Sequence, residues 1–357
     1  MREDIKGLVL SGGAGTRLRP ITHTSAKQLV PVANRPVLFY GLDALRAAGI
    51  EEVGIIVGDT HAEIEAAVGD GSAFGLRVTY IRQEAPLGLA HAVLTAEEFL
   101  GDSPFVMYLG DNLLRDGIAE LVADFRVSDA DAMILLQRVP DPSSYGVAEL
   151  DGARVVRLVE KPADPPSDLA LVGVYMFTSA ILDSAKAINP SGRGELEITD
   201  AIQNMIDRDL RVEPHTVTGW WKDTGRIEDM LEANRLILDV LEPSVRGEVV
   251  DSTVEGRVVI EPGARVVDSS VRGPAVIGAG AVVEHAYVGP YTAISEDVVI
   301  RRAEVEHSIF LRGSRLEDLD ARVESSLVGR DVTIARSTAK PRAYRFMVGD
   351  SSEIGIL

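Results

Sequence analysis

Leu10-Ser-Gly-Gly-Ala-Gly-Thr-Arg-Leu-Arg-Pro20 follows without a break on the apolar run Gly7 to Leu10. A strand that empties into glycines brings bare backbone close to a ligand, and successive amides there converge on an anion. The loop is not a dinucleotide fingerprint, because Leu18 stands where a third glycine belongs, and it is not a Walker loop, because no Gly-Lys-Ser/Thr follows. A plain glycine turn with solvated cations is the alternative, and the strand-to-loop context weighs against it.

Outward from this loop, apolar runs at Val53 to Val57, Val78 to Arg82, Phe105 to Leu109 and Ala132 to Gln137 predict strands separated by helical patterns. Helical crossovers imply an α/β domain with a mixed, mostly parallel sheet, in which ligands bind at the carboxyl ends of the strands. Arg226 to Val240 carries Ile227, Met230, Leu231, Leu236 and Leu238, which fits a helix closing that domain before Pro243. From Val249 the texture changes. Apolar residues recur at Val266, Val271, Ile277, Val283, Val288, Ile294 and Ile300, with Gly278, Gly289 and Pro290 at turn positions. This spacing predicts a left-handed parallel β-helix of about five coils; a small antiparallel sandwich is the alternative. The expected organisation is residues 1–240, then 241–340, then a tail of 341–357 whose Tyr344, Phe346 and Met347 dock on the coils or on a partner.

At 357 residues, 46% hydrophobic and 25% charged, the chain can bury a large core. The start, Met1-Arg-Glu-Asp-Ile-Lys, puts charges where a signal peptide needs apolar residues, and no run approaches the ~20 apolar residues of a membrane span. A cytoplasmic, membrane-free protein is expected. The absence of cysteine excludes disulfides, thiolate chemistry and cysteine-ligated metals. A formal net charge of −19 repels nucleic acid, so a phosphate-bearing ligand must be held by a few local cations. Only 6 of the 36 basic residues are lysine, and Lys27 and Lys161 both fall in the segments singled out below. The six histidines show no metal-ligand spacing.

The compound pattern Gly-Gly-x-Gly-Thr-Arg-Leu-x-Pro, with Lys27 and Pro31 in Ser25-Ala-Lys-Gln-Leu-Val-Pro31, resembles the sugar-nucleotide pyrophosphorylase family. The resemblance extends over nearly the whole chain, and the added repeats look like the long form of the glucose-1-phosphate thymidylyltransferases. It implies that Leu10, Gly12, Gly13, Gly15 and Thr16 wrap a triphosphate, that Arg17 stabilises the leaving pyrophosphate, and that Lys27 contacts phosphate. A planar guanidinium and a compact ammonium suit those tasks.

Gln83-Glu-Ala-Pro-Leu-Gly-Leu-Ala90 occupies the family's pyrimidine-recognition place, with the Gln83 amide and the Gly88 backbone as base contacts. Phe105-Val-Met-Tyr-Leu-Gly-Asp-Asn112 reads as a buried strand ending in a carboxylate, which is costly unless a charge pairs with it. Asp111 matches the family's nucleotide- and Mg²⁺-binding aspartate, and Asp223 in Trp220-Trp-Lys-Asp-Thr-Gly225 matches the second. Two carboxylates with substrate phosphates and water suit magnesium. By the same resemblance Tyr145, Gly146, Glu160, Lys161, Gly173, Tyr175, Glu195 and Trp221 form the sugar-phosphate cradle. Asp168-Leu-Ala-Leu-Val-Gly173 departs from the short forms, which usually have Asn before the equivalent strand.

The implied reaction is magnesium-dependent transfer from dTTP, or UTP as the alternative, to glucose 1-phosphate, in a homo-oligomer that supplies deoxysugar biosynthesis. An acyltransferase on the β-helix and a non-catalytic regulator are the remote alternatives. The repeats carry no long acyl-donor loop, and Arg17, Lys27, Asp111 and Asp223 are intact.

Overall fold

The structure, a computed structural model, describes residues 2, 4–13, 15–23, 25–337, 339–340 and 344–356. Met1 and Glu3 of the charged start and Ala14 of the glycine loop lie outside the described residues. The described residues fall into two compact units, one built from Met1–Ala14, Ser25–Leu29 and Val37–Asp223, the other from Gly15–Thr24, Val30–Pro36 and Thr224–Leu357.

In the first unit each apolar run becomes the expected strand. Lys6–Leu10 lies between Glu52–Val57 and Phe105–Leu109 and is parallel to both, and Arg77–Arg82 extends the parallel set beyond Glu52–Val57. The parallel character stops there. Leu169–Phe177, with all nine residues buried, runs antiparallel to Phe105–Leu109, to Ala132–Arg138 and to Gly146–Asp151. Gly146–Asp151 pairs antiparallel with Arg154–Glu160, and Val212–Thr216 pairs parallel with Ala132–Arg138. The sheet is therefore mixed, and only its first four strands are uniformly parallel.

Both faces of this sheet are covered, as the continuous apolar composition of its central strands requires. Leu8, Leu10, Phe105, Met107, Leu171 and Phe177 enter one core, and their neighbours Val9, Val106, Tyr108, Val172 and Val174 enter the other. No helix among the described residues is long and apolar enough to cross a membrane.

The second unit contains the left-handed parallel β-helix, three parallel sheets of six, six and five strands. The recurring positions stack in register: Val266 on Val283 on Ile300, Val271 on Val288, Ile277 on Ile294. All seven are 0% exposed, which identifies them as the inward rows of a coil stack and excludes the antiparallel sandwich. Serines close one corner from coil to coil. Ser252 Oγ accepts the Ser269 N–H and Ser269 Oγ accepts the Ala286 N–H, each across 17 residues. Tyr344, Phe346 and Met347 are exposed rather than docked on the coils.

The units cut the chain elsewhere than at residue 240, for a physical reason. Helix Ile227–Leu238 buries Met230, Leu231, Asn234 and Leu238 and packs on the β-helix strand Thr292–Ile294. The strands Pro31–Val32 and Arg35–Pro36 form a hairpin whose two turn residues, Ala33 and Asn34, both have positive φ, at 47° and 62°. A two-residue turn between twisted strands requires that conformation, which alanine adopts only at a cost. Asn234 offsets the cost: fully buried, it accepts the Ala33 N–H through Oδ1 at 2.9 Å and donates to the Tyr291 carbonyl at 2.9 Å. Asn34 in turn donates to the Ile294 carbonyl at 2.7 Å. Asn234→Ala leaves a buried donor and a buried acceptor unpaired and should lower stability by about 1–3 kcal/mol. The check is the urea midpoint, and an unchanged midpoint would contradict this account.

Candidate active site

The site of the first unit is built where its parallel strands end. Leu10 is still core, at 8% exposure. Beyond it the Ser11 N–H donates to the Ile56 carbonyl at 2.8 Å and the Gly110 N–H donates to the Leu10 carbonyl at 3.0 Å, which holds three strand ends level. Gly12 faces the Gln83 side chain, whose Oε1 lies 3.4 Å from where a Gly12 Cβ would be. Gly13 is exposed, with Lys27 Cε and Gln28 Nε2 at 4.0 and 3.9 Å from its own Cβ position. Gly12, Gly13, Lys27 and Gln83 thus lie close together.

Gly88 has φ 105° and caps helix Leu89–Thr95, and a Cβ there would sit 2.7 Å from Leu196 N. Only glycine tolerates both the dihedral and that approach. The contact is a short backbone ladder: the Leu196 N–H donates to the Leu87 carbonyl at 2.7 Å and the Ala90 N–H to the Leu196 carbonyl at 3.0 Å. The segment carrying Gln83 and Gly88 is thereby tied to the segment carrying Glu195.

Asp111 forms an ion pair with Lys27 through Oδ2 and accepts a hydrogen bond from Asn112 Nδ2 through Oδ1 at 2.9 Å. Burial alone would push this carboxyl up; the Lys27 ammonium and the Asn112 amide outweigh it and hold Asp111 below the usual carboxylate range. Asp223 comes alongside because strand Trp221–Asp223 pairs antiparallel with Asn112–Leu114, which sets Asp223 opposite Asn112. One short ladder thus brings Asp223 to the register position beside Asp111, from more than a hundred residues away in sequence. Among the described residues no group of three or more His, Asp or Glu is placed to hold a metal. A cation at this pair would take its remaining ligands from water and substrate, which is magnesium's habit.

Asn112 is the residue the sequence leaves without a role. Its Oδ1 accepts from the Trp221 indole N–H and from the Gly173 N–H at 3.2 Å, while its Nδ2 binds Asp111. A Cβ on Gly173 would come within 2.7 Å of Asn112 Cγ, so glycine is required there to admit this amide. Trp221 packs edge-on against Tyr145 with ring centroids 5.2 Å apart.

Glu160 lies opposite Gly146 in the strand pair, and Lys161, at φ 42°, donates its N–H to the Tyr145 carbonyl at 2.9 Å. Glu160 accepts from Thr199 Oγ1 at 3.2 Å and pairs with Lys161 and Arg193 at 3.3 and 3.2 Å. Arg193 also reaches Glu195 at 3.8 Å and the nearly buried Glu197 at 2.8 Å. Arg193 therefore organises three carboxylates, a role hidden in sequence among acidic neighbours. Tyr175 is nearly buried and stacked on Phe177, and burial followed by the charge of Glu160 raises its hydroxyl well above the ordinary value. Asp168, the departure from the short forms, forms an exposed ion pair with Arg138.

Gly15, Thr16 and Arg17 belong to the second unit. Gly15 adopts the left-handed conformation before a single helical turn, and buried Leu18 anchors that turn. Arg17 lines a cavity of about 240 Å³ with Arg226, Ile227 and Glu228. Arg226 follows three residues after Asp223 and went unassigned from sequence, because one cation after a glycine looks like any helix start.

A glycine loop at strand ends, a lysine on a half-buried carboxylate, a second carboxylate on the neighbouring ladder and a cluster of mixed charge are features of an enzyme that handles phosphates. Residues 6–240 match the family model described as nucleotidyl transferase, and the chain belongs to that family. It is 56% identical to a glucose-1-phosphate thymidylyltransferase of Streptomyces griseus, with 99% of both chains covered. It is 48% identical to the low-salt glycan biosynthesis nucleotidyltransferase Agl11 of Haloferax volcanii, covering 98% of this chain and 99% of that one. A crystal structure of UDP-glucose pyrophosphorylase with UDP-glucose superposes at a TM-score of 0.60 and 27% identity over 66% of this chain and 99% of that one.

Asn112→Ala would strand the Trp221 and Gly173 donors and loosen Asp111, at a cost of about 1–3 kcal/mol for each buried donor. A lowered thermal midpoint together with reduced kcat is the expected result. Unchanged kcat in a folded variant would show that Asn112 does not position the acid.

Proposed function

We propose that this protein transfers a thymidylyl group from dTTP to α-D-glucose 1-phosphate, forming dTDP-glucose and pyrophosphate. The observation that carries the reading is the ladder that sets Asp223 opposite Asn112, next in the chain to Asp111, with Lys27 paired to Asp111 and Gly12 and Gly13 near Gln83 and Lys27. The names of its full-length relatives support the choice of nucleotide and sugar.

A phosphate oxygen of glucose 1-phosphate attacks the α-phosphorus of dTTP. The bond from that phosphorus to the bridging oxygen breaks, and pyrophosphate carries away the electron pair. A phosphate monoester with a second pKa near ~6 is largely dianionic at neutral pH, so no general base is required. The chain's task is positioning and charge neutralisation. Arg17 stabilises the departing pyrophosphate, Lys27 holds the triphosphate, and Lys161 holds the hexose phosphate. Glu160 and Glu195, oriented by Arg193, accept hydrogen bonds from sugar hydroxyls, with the Gly146 amide and Tyr145 completing the cradle. Gln83 and Gly88 meet the base. Asp111 and Asp223 would hold Mg²⁺, which when bound neutralises phosphate charge.

Arg17→Ala should lower kcat by about 10² to 10³ with the fold intact, the loss typical of one transition-state charge donor. Asp223→Asn should fall at least as far in magnesium-dependent turnover. Near-normal kcat at saturating substrate in either variant would remove that residue from the chemistry.

A UTP-using enzyme is the second reading, favoured by the likeness to UDP-glucose pyrophosphorylase. Thymine differs from uracil by one methyl, worth about 10- to 200-fold in an apolar pocket. Pyrophosphate release with dTTP, dUTP and UTP separates the methyl from the ribose hydroxyl. If UTP matches or exceeds dTTP, the thymidylyl assignment falls and nucleotidyl transfer stands.

A further inference from the structure

Gln83 ends the parallel strand set, its backbone N–H donating to the Val57 carbonyl at 2.9 Å. Its side-chain amide has two close neighbours: Nε2 is 3.3 Å from the Gly88 carbonyl oxygen and 2.9 Å from His91 Nδ1. A carbonyl oxygen can only accept, so the amide atom beside Gly88 must be the NH₂ and not the oxygen. The second hydrogen of that NH₂ then points at His91, and Nδ1 must be the acceptor. Thr95 does not compete for Nδ1. Its hydroxyl lies 3.5 Å from that nitrogen and donates instead to the His91 carbonyl at 2.8 Å. Both amide hydrogens of Gln83 are thereby committed to protein, and Oε1 is left at the open end, facing Gly12.

We infer that His91 is a positioning residue that fixes the Gln83 amide with its oxygen toward the base, so that the site selects pyrimidines bearing a hydrogen on N3. Thymine and uracil carry that hydrogen, whereas cytosine presents a lone pair at N3 and meets the Gln83 oxygen acceptor to acceptor. Without His91, only the Gly88 carbonyl, at the longer of the two distances, opposes rotation of the amide, and a turned amide offers cytosine a donor. The same segment is rigid where it matters. The Gly88 dihedral and the Ala90 to Leu196 backbone bond set the start of the helix that carries His91. This inference rests on Gln83 as a base contact.

The test measures kcat/KM for dTTP and dCTP with glucose 1-phosphate in the full-length protein, by pyrophosphate release. His91→Leu, which keeps bulk and removes the acceptor, should shrink the dTTP to dCTP ratio about tenfold, the worth of one hydrogen bond. His91→Asn, which can return an oxygen acceptor near the Nδ1 position, should recover most of the ratio. Gln83→Leu serves as the reference. If Gln83→Leu collapses the ratio while His91→Leu leaves it unchanged, or if His91→Asn fails to restore it, the positioning role is overturned and the base contact stands. If Gln83→Leu leaves the ratio intact, the base contact falls and this inference with it. Should His91→Leu fail to fold, the comparison of His91→Asn with His91→Ala decides in the same way.

Discussion

A carboxylate at the end of a strand whose other residues are buried carries a desolvation cost that only opposite charge and hydrogen bonds can offset. Asp111 meets that condition through Lys27 on one oxygen and Asn112 on the other, and its carboxyl is held ionised against the pull of burial. Much of the first unit is arranged around this constraint. Lys27 reaches the acid from a single helical turn placed after the glycine loop, and Asn112 begins the strand that recruits Asp223. The acid, its counter-charge and its second carboxylate therefore stand or fall together. A site that sets carboxylates beside fixed cations is suited to phosphates and would accept a divalent cation with them.

The same economy governs the carboxylates around Arg193. Glu160, Glu195 and Glu197 would repel one another without Arg193, and Asp200 shows the strain: burial, then Glu197 and Glu160, raise its carboxyl above the ordinary range. One guanidinium with a planar fork serves several acceptors at once, which a lysine could not do. Glu197 is nearly buried and bonded to Arg193 and Ser191, whereas Glu160 and Glu195 keep more of their surface open.

The β-helix contributes through stacking. Each coil touches only its neighbours, so its stability accumulates along the axis and its flanks are free to hold other elements. Here one flank holds helix Ile227–Leu238 and the hairpin around Ala33 and Asn34, which joins N-terminal chain to C-terminal coils within one compact unit. Hydrogen bonds across two hundred residues leave no mark on local composition.

What the sequence by itself determined is what short-range pattern encodes. Strand positions came from apolar runs, the coil stack from recurring valines and isoleucines, and the nucleotidyl transferase family from compound motifs around the glycine loop. What only tertiary structure decided depends on partners far away in the chain. The antiparallel direction of Leu169–Phe177 is one case, since a fully apolar strand looks the same in either direction. The roles of Asn112, Arg193, His91 and Asn234 are others, because polar residues acquire meaning only from the atom each one faces. Periodicity records burial along one element, whereas hydrogen-bond geometry between elements is set by packing, and packing is where this site was completed.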